Sequence, residues 1–139
     1  MSFFEDIEKF NDMYKLPNNN EPTNLEKERI INFANILQEE LTEYEDIVAI
    51  ENNNKQNEET LVAMADWLGD IIVYCASEAR RWGLPMEQIL DIIMQSNFSK
   101  LGEDGKPIYD ERGKVMKGPN YWKPEPKIRE LLRNNKWKN

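Results

Sequence analysis

The chain has 139 residues, 40% of them hydrophobic, with no histidine and a single cysteine, enough for one domain with its own core and no disulfide framework. Its net charge of −8 argues against a general nucleic-acid binder, which needs a basic surface to displace counterions. The charge is unevenly spread: residues 1–100 carry 20 acidic and 8 basic side chains, whereas 101–139 carry 6 and 10. An acidic body and a basic tail suit a metal and a phosphate compound respectively.

Phe3, Phe4, Ile7, Phe10 and Tyr14 recur at helical spacing, predicting an amphipathic helix over 2–14 that Leu16-Pro17-Asn18 ends. The opening Met-Ser-Phe-Phe-Glu-Asp has acid where a signal peptide has base, and no apolar run is read as long enough to span a bilayer, so the expectation is a cytoplasmic protein without a membrane partner. Thr23 and Glu26 have the form of a capping box, and a helical period then continues to about Ile50. This helix carries Glu39, Glu40 and Glu43. Taken alone, such a glutamate-rich run is a solvated face.

Residues 52–57 are a polar loop that turns the chain into an antiparallel neighbour. The next helix is expected from about Glu58 to Trp82, with Gly83 as its C-terminal cap. Leu61, Ala65, Leu68, Ile72 and Ala76 form one stripe, and the neighbouring residues leave little polar face, predicting burial nearly all round. Asp66 and Asp70 interrupt it. Buried carboxylates need a partner, a proton or a metal, and residues three or four apart share a helix face. Glu40 with Glu43, and Asp66 with Asp70, therefore make two facing columns of oxygen. Oxygen ligands without histidine favour Mg²⁺, with Mn²⁺ as substitute, over zinc. Gly69, costing about 1 kcal/mol relative to alanine, suggests a close approach there. Arg80 and Arg81 are read as favouring the helix dipole and are not assigned to substrate.

A further helix is expected over 85–98, ending in Ser96-Asn97-Phe98-Ser99-Lys100. Beyond Leu101 glycines and prolines replace the helical period, predicting a loop or small hairpin around Pro107-Ile108-Tyr109 and Val115-Met116. Its lysines Lys106, Lys114 and Lys117, the last foremost, are candidates to close on phosphate. Tyr121 and Trp122 have two readings, base stacking or anchoring of the tail. Ile128, Leu131, Leu132 and Trp137 predict a short last helix. Residues 1–100 form the bundle, and 101–139 an extension of the same domain.

Glu-Glu-x-x-Glu followed after 22 residues by an acidic motif ending Gly-Asp-Ile-Ile resembles the MazG-like all-α nucleotide pyrophosphohydrolases, the superfamily that includes phosphoribosyl-ATP pyrophosphohydrolase. The segments Ser96–Leu101, Gly102–Pro107 and Lys117–Tyr121 are similar to the tail of a phage and bacterial branch, and the resemblance spans roughly residues 1–124. The common family form, Glu-x-x-Asp, would place a glutamate at Trp67; here Asp66 stands four residues before Asp70. The resemblance implies an all-α, four-helix bundle with a loop-rich C-terminal extension, in a homodimer or dimer of dimers. It implies hydrolysis of a nucleoside triphosphate to monophosphate and pyrophosphate, with Glu40, Glu43, Asp66 and Asp70 holding Mg²⁺ and either Glu39 or Glu40 activating water. Asn97, Lys100, Lys106, Lys117, Asn120 and Tyr121 would meet phosphate, sugar or base, and Phe10 and Asn11 the base. The rival expectations are phosphoribosyl-ATP hydrolysis and a non-catalytic acidic interaction protein.

Overall fold

The computed structural model describes residues 2–135. Its elements are all helical: α1 Phe3–Met13, α2 Glu26–Leu41, α3 Tyr44–Asn53, α4 Glu58–Arg81, α5 Met86–Phe98 and α6 Glu125–Asn134. The all-α expectation therefore holds. Trp137 lies outside the described residues. The chain divides into two compact units, Met1–Gly83 and Leu84–Asn139. This boundary differs from the one expected at residue 100, because α5 packs with α6 while α1, α2 and α3 all pack on α4.

In the first unit α4 is the central rod. Asn57 caps its start by accepting the Thr60 N–H at 2.8 Å, leaving two acidic residues in the first turn and Arg80 and Arg81 in the last, the polarity that the helix dipole favours. At its far end the expected Gly83 adopts φ of 65°. A side chain there would also meet the Glu21 carbonyl oxygen at 1.9 Å, so glycine is required on two counts. The asparagine run closes this end of the helix. Asn19 donates its main-chain N–H to the Arg80 carbonyl and its side-chain amide to that of Arg81, and Thr23 N–H reaches the Trp82 carbonyl. The carbonyls a helix end leaves open are thereby taken up.

The single helix expected over 23–50 is two, broken at Thr42-Glu43. Thr42 turns its hydroxyl onto the Glu39 carbonyl at 2.7 Å, and the N–H groups of Glu43, Glu45 and Asp46 bond three residues back instead of four, a tightened turn. The capping box is not formed either: Thr23 Oγ1 donates to the Glu21 carbonyl, and Asn24 Oδ1 accepts the Glu26 N–H.

Two expectations about α4 need correction. Within one chain it is not buried all round: Leu61 is 70% exposed, Leu68 49% and Ile72 57%. Among the described residues no atom outside the helix backbone lies near the position a Gly69 side chain would take, so that glycine marks no close approach among them. An 18-residue window of α4 also reaches a mean hydropathy of 1.3, enough by length and composition for a membrane span, contrary to the sequence reading. Asp66 and Asp70 stand in that window, and each would cost about 2.5–3.5 kcal/mol at a bilayer centre. An apolar face awaiting protein fits them better.

In the second unit the loop between α5 and α6 carries the expected small hairpin, reduced to one antiparallel bridge between Tyr109 and Val115. Gly118 N–H bonds the Lys100 carbonyl at 2.8 Å, an approach so close that any side chain at Gly118 would strike the Leu101 carbonyl. Ser96, buried near the end of α5, donates to the Trp122 carbonyl at 2.8 Å. Lys127 stands over the Trp122 ring at 4.0 Å. Trp122 therefore anchors the tail.

Candidate metal site and adjoining cleft

Glu40 is the last-but-one residue of α2 and the one buried carboxylate of the expected set, at 9% exposure. Its position is fixed by the main chain. Trp67, on α4, donates its indole N–H to the Glu40 carbonyl at 2.9 Å, an oxygen left within reach by the break that follows. Glu43 opens α3 just beyond the break, and Asp66 and Asp70 flank Trp67 on α4. Three elements thus converge on one end of α2.

The electrostatics of Glu40 register that convergence. Its carboxyl is pushed up to about 7, first by hydrogen bonding with Glu43, then by burial, and then by the charges of Glu43, Asp70 and Asp66. Like charges that close disfavour ionisation. Glu40 Oε1 is buried and has no hydrogen-bond partner. Among the described residues, no group of three acidic, histidine or cysteine side chains is drawn into a ready ligand cluster; Glu43, Asp66 and Asp70 are exposed. The expectation that the two aspartates are buried is corrected: Glu40 alone carries that burden. A bare carboxylate oxygen, shut off from water and ringed by three further carboxylates, is the environment a divalent cation would relieve, and the all-oxygen donor set fits Mg²⁺ or Mn²⁺. Glu39, one residue before, is exposed and points to no fixed partner among the described residues.

Next to this column lies a cleft of about 390 Å³. Asp70 is on its wall, with Phe10 of α1, Phe33 and Arg29 of α2, and Tyr74 and Arg81 of α4. Phe10 is thus on the cleft wall. Asn11 is not: it is wholly buried, its amide donates to the carbonyls of Pro17 and Ser77, and its Oδ1 accepts the Ser77 hydroxyl at 2.7 Å. The carboxamide pins α1 to α4.

Sequence reasoning passed over the cationic end of the cleft. Glu78, buried, accepts from Arg29 Nε at 2.9 Å and from the Arg29 terminal nitrogen at 2.5 Å, and from Trp82 Nε1 at 2.8 Å. Arg81 stands 3.8 Å from Glu78. Burial and the neighbouring Arg29 hold its guanidinium below the ordinary arginine value, while Glu78 holds that of Arg29 above it. Arg80, adjacent in sequence, points elsewhere, to Asn18 and Asn20. The available signal was spacing, since Asp70, Tyr74, Ser77 and Arg81 fall on one face of α4.

The remaining candidates belong to the second unit. Asn97, Lys106, Lys117 and Asn120 are exposed, while Lys100 and Tyr121 are half-buried. Lys117 Nζ stands 5.0 Å over the Tyr121 ring, and the main chain of Gly118 is tied to Lys100. The structure thus gathers Lys100, Lys117 and Tyr121 at the end of α5.

No family model and no curated protein matches the sequence. A solved structure from Exiguobacterium sp. 255-15, described as "a putative NTP pyrophosphohydrolase", is similar over 98% of this chain and 97% of its own, with a TM-score of 0.51 and 24% sequence identity. At that identity the likeness shows the fold: this chain has the all-α architecture of that protein.

Proposed function

We propose that the chain is a divalent-metal-dependent nucleoside triphosphate pyrophosphohydrolase, converting an NTP or dNTP to the monophosphate and pyrophosphate. The observation that carries this reading is the unpartnered, buried Glu40 Oε1 among Glu43, Asp66 and Asp70, beside a cleft that shares Asp70. Support also comes from the architecture shared with a protein of that description.

In this reading Glu40, Glu43, Asp66 and Asp70 hold Mg²⁺, which supplies Lewis acidity toward phosphate oxygens and water. The chain's own groups do the rest. Glu39 or Glu40 takes a proton from the attacking water as its oxygen bonds the α-phosphorus. The bond from that phosphorus to the bridging oxygen breaks, and pyrophosphate leaves with the electron pair. Phe10 and the apolar wall of the cleft hold the base, and Lys100, Lys106 and Lys117, with Asn97, Asn120 and Tyr121, are the proposed contacts to phosphate and sugar. The exposed stripe of Leu61, Leu68 and Ile72 is proposed to be covered by a second copy of the chain, in a dimer or dimer of dimers acting in the cytoplasm.

The test is pyrophosphate release from a panel of ribo- and deoxyribonucleoside triphosphates with Mg²⁺ or Mn²⁺, beside Glu43→Gln and Asp70→Asn proteins shown to be folded. Release that each substitution cuts by about 100-fold or more is expected. A folded wild-type chain that releases nothing from any of them overturns the reading, and phosphoribosyl-ATP would then be tried.

A further inference from the structure

Asp70, Tyr74, Ser77 and Arg81 run along one wall of the cleft, and eleven residues of helix separate the first from the last, a rise of about 16 Å. The carboxylate end and the guanidinium end are thus too far apart to serve one phosphate. Resting on the reading above, which puts the triphosphate at the Asp70 end, the other end falls to the base. Phe10, Phe33 and Tyr74 supply ring faces between the two.

The chemistry of that far end is one-sided. Both Glu78 oxygens already accept, Oε1 from Arg29 and Oε2 from Arg29 and Trp82. Ser77 spends its proton on Asn11. Arg81, by contrast, approaches Glu78 no closer than 3.8 Å and its side chain makes no hydrogen bond among the described residues, so its donors are left for an acceptor in the cleft it lines. A guanidinium pairs in two-pronged fashion with adjacent acceptors and has nothing to offer an amine.

We infer that Arg81, held beside the Arg29–Glu78 pair, is the base-reading residue of the cleft, selecting guanine nucleotides, whose base presents the adjacent acceptors O6 and N7 at its outer edge, over uracil and thymine, which present one acceptor there, and over adenine and cytosine, which present an amino group.

Two measurements test this. Calorimetric titration of the full chain in EDTA with dGMP, dUMP, dAMP and dCMP reads the base contact without metal or turnover, and kcat/KM for the matching triphosphates with Mg²⁺ reads it in turnover. The expected result is a preference of about ten-fold for the guanine nucleotide over the other three, erased alike by Arg81→Ala and Arg81→Lys, because lysine keeps the charge and loses the fork. Equal binding of all four monophosphates by the wild-type chain, or preference for a base other than guanine, overturns the inference whatever hydrolysis shows. So does an Arg81→Lys protein that keeps wild-type selectivity, or an Arg81→Ala protein that weakens all four equally, since either would make Arg81 a simple charge. Guanine-selective binding without any hydrolysis leaves the base pocket standing and removes the pyrophosphohydrolase reading instead.

Discussion

The indole N–H of Trp67 and the main-chain carbonyl of Glu40, 2.9 Å apart, join α4 to the end of α2 at the point where four carboxylates converge. The bond holds a backbone and leaves the Glu40 side chain free to face its neighbours. Trp67→Phe keeps an aromatic ring and removes the donor, leaving the carbonyl only the Glu43 N–H at 3.2 Å. Denaturant unfolding is expected to show a loss of about 1–2 kcal/mol, with metal affinity, read by titration with Mn²⁺, weakened in parallel. Unchanged stability would mean the bond is dispensable.

Glu40 makes the metal-free protein sensitive to pH in an unusual sense. Its folded-state value of about 7 lies above the ordinary 4.5, so between those two values the folded chain binds more protons than the unfolded one, and stability falls as pH rises. The effect is absent below 4.5 and complete above 7. Unfolding in EDTA across this range should show that downward slope, Glu40→Gln should flatten it, and added Mg²⁺ should restore stability at the upper end. A rising slope for the wild-type chain that Glu40→Gln leaves alone would contradict the assignment.

Asn11→Ala separates a structural amide from a base contact. It would strand the Ser77 hydroxyl and two carbonyls, at a cost of about 2–3 kcal/mol. The ranking of nucleotides should stay as it was, although every rate is measured on a less stable protein. A changed ranking would restore Asn11 to the base pocket.

Ile72→Glu places a charge in the exposed stripe of α4 without touching the carboxylates or the cleft. Sedimentation is expected to show the wild-type chain as an oligomer and the variant as a monomer, with a wild-type Tm that rises with protein concentration. A monomeric wild-type chain would remove the second copy from the account.

What could be read in advance depended on whether a signal was local. Both ends of α4 were legible, since a polar residue before the first turn and a glycine after the last act on neighbouring backbone. The break at Thr42-Glu43 was not, because it comes from a threonine hydroxyl turned onto the Glu39 carbonyl, with neither proline nor glycine to announce it. The apolar stripe of α4 was legible as a pattern but its burial was not: Leu61, Leu68 and Ile72 are exposed, because whether a neighbour covers a face is a tertiary fact. The four carboxylates were visible as two spaced pairs, but which one is shut away from water depends on Trp67 crossing to α2. Arg80 and Arg81 were indistinguishable as last-turn cations, and only their partners, asparagines for one and a cleft for the other, tell them apart.

The asparagine clasp at the Arg81 end of α4 bears on motion as well as on capping. The Glu58 end is capped by Asn57 and tied to α3 through side chains, Asn57 on the Ile50 carbonyl and Thr60 on Glu51, whereas the last turn is tied by main-chain bonds as well, from Asn19 and Thr23 in the segment that follows α1. Hydrogen exchange should therefore run inward from the Glu58 end. The stretch from Tyr74 to Arg81, tethered to α1 through Asn11 and Ser77 as well, then opens only when the first helix lets go, so the cationic end of the cleft keeps its shape through the local fluctuations that reach the other end of the helix.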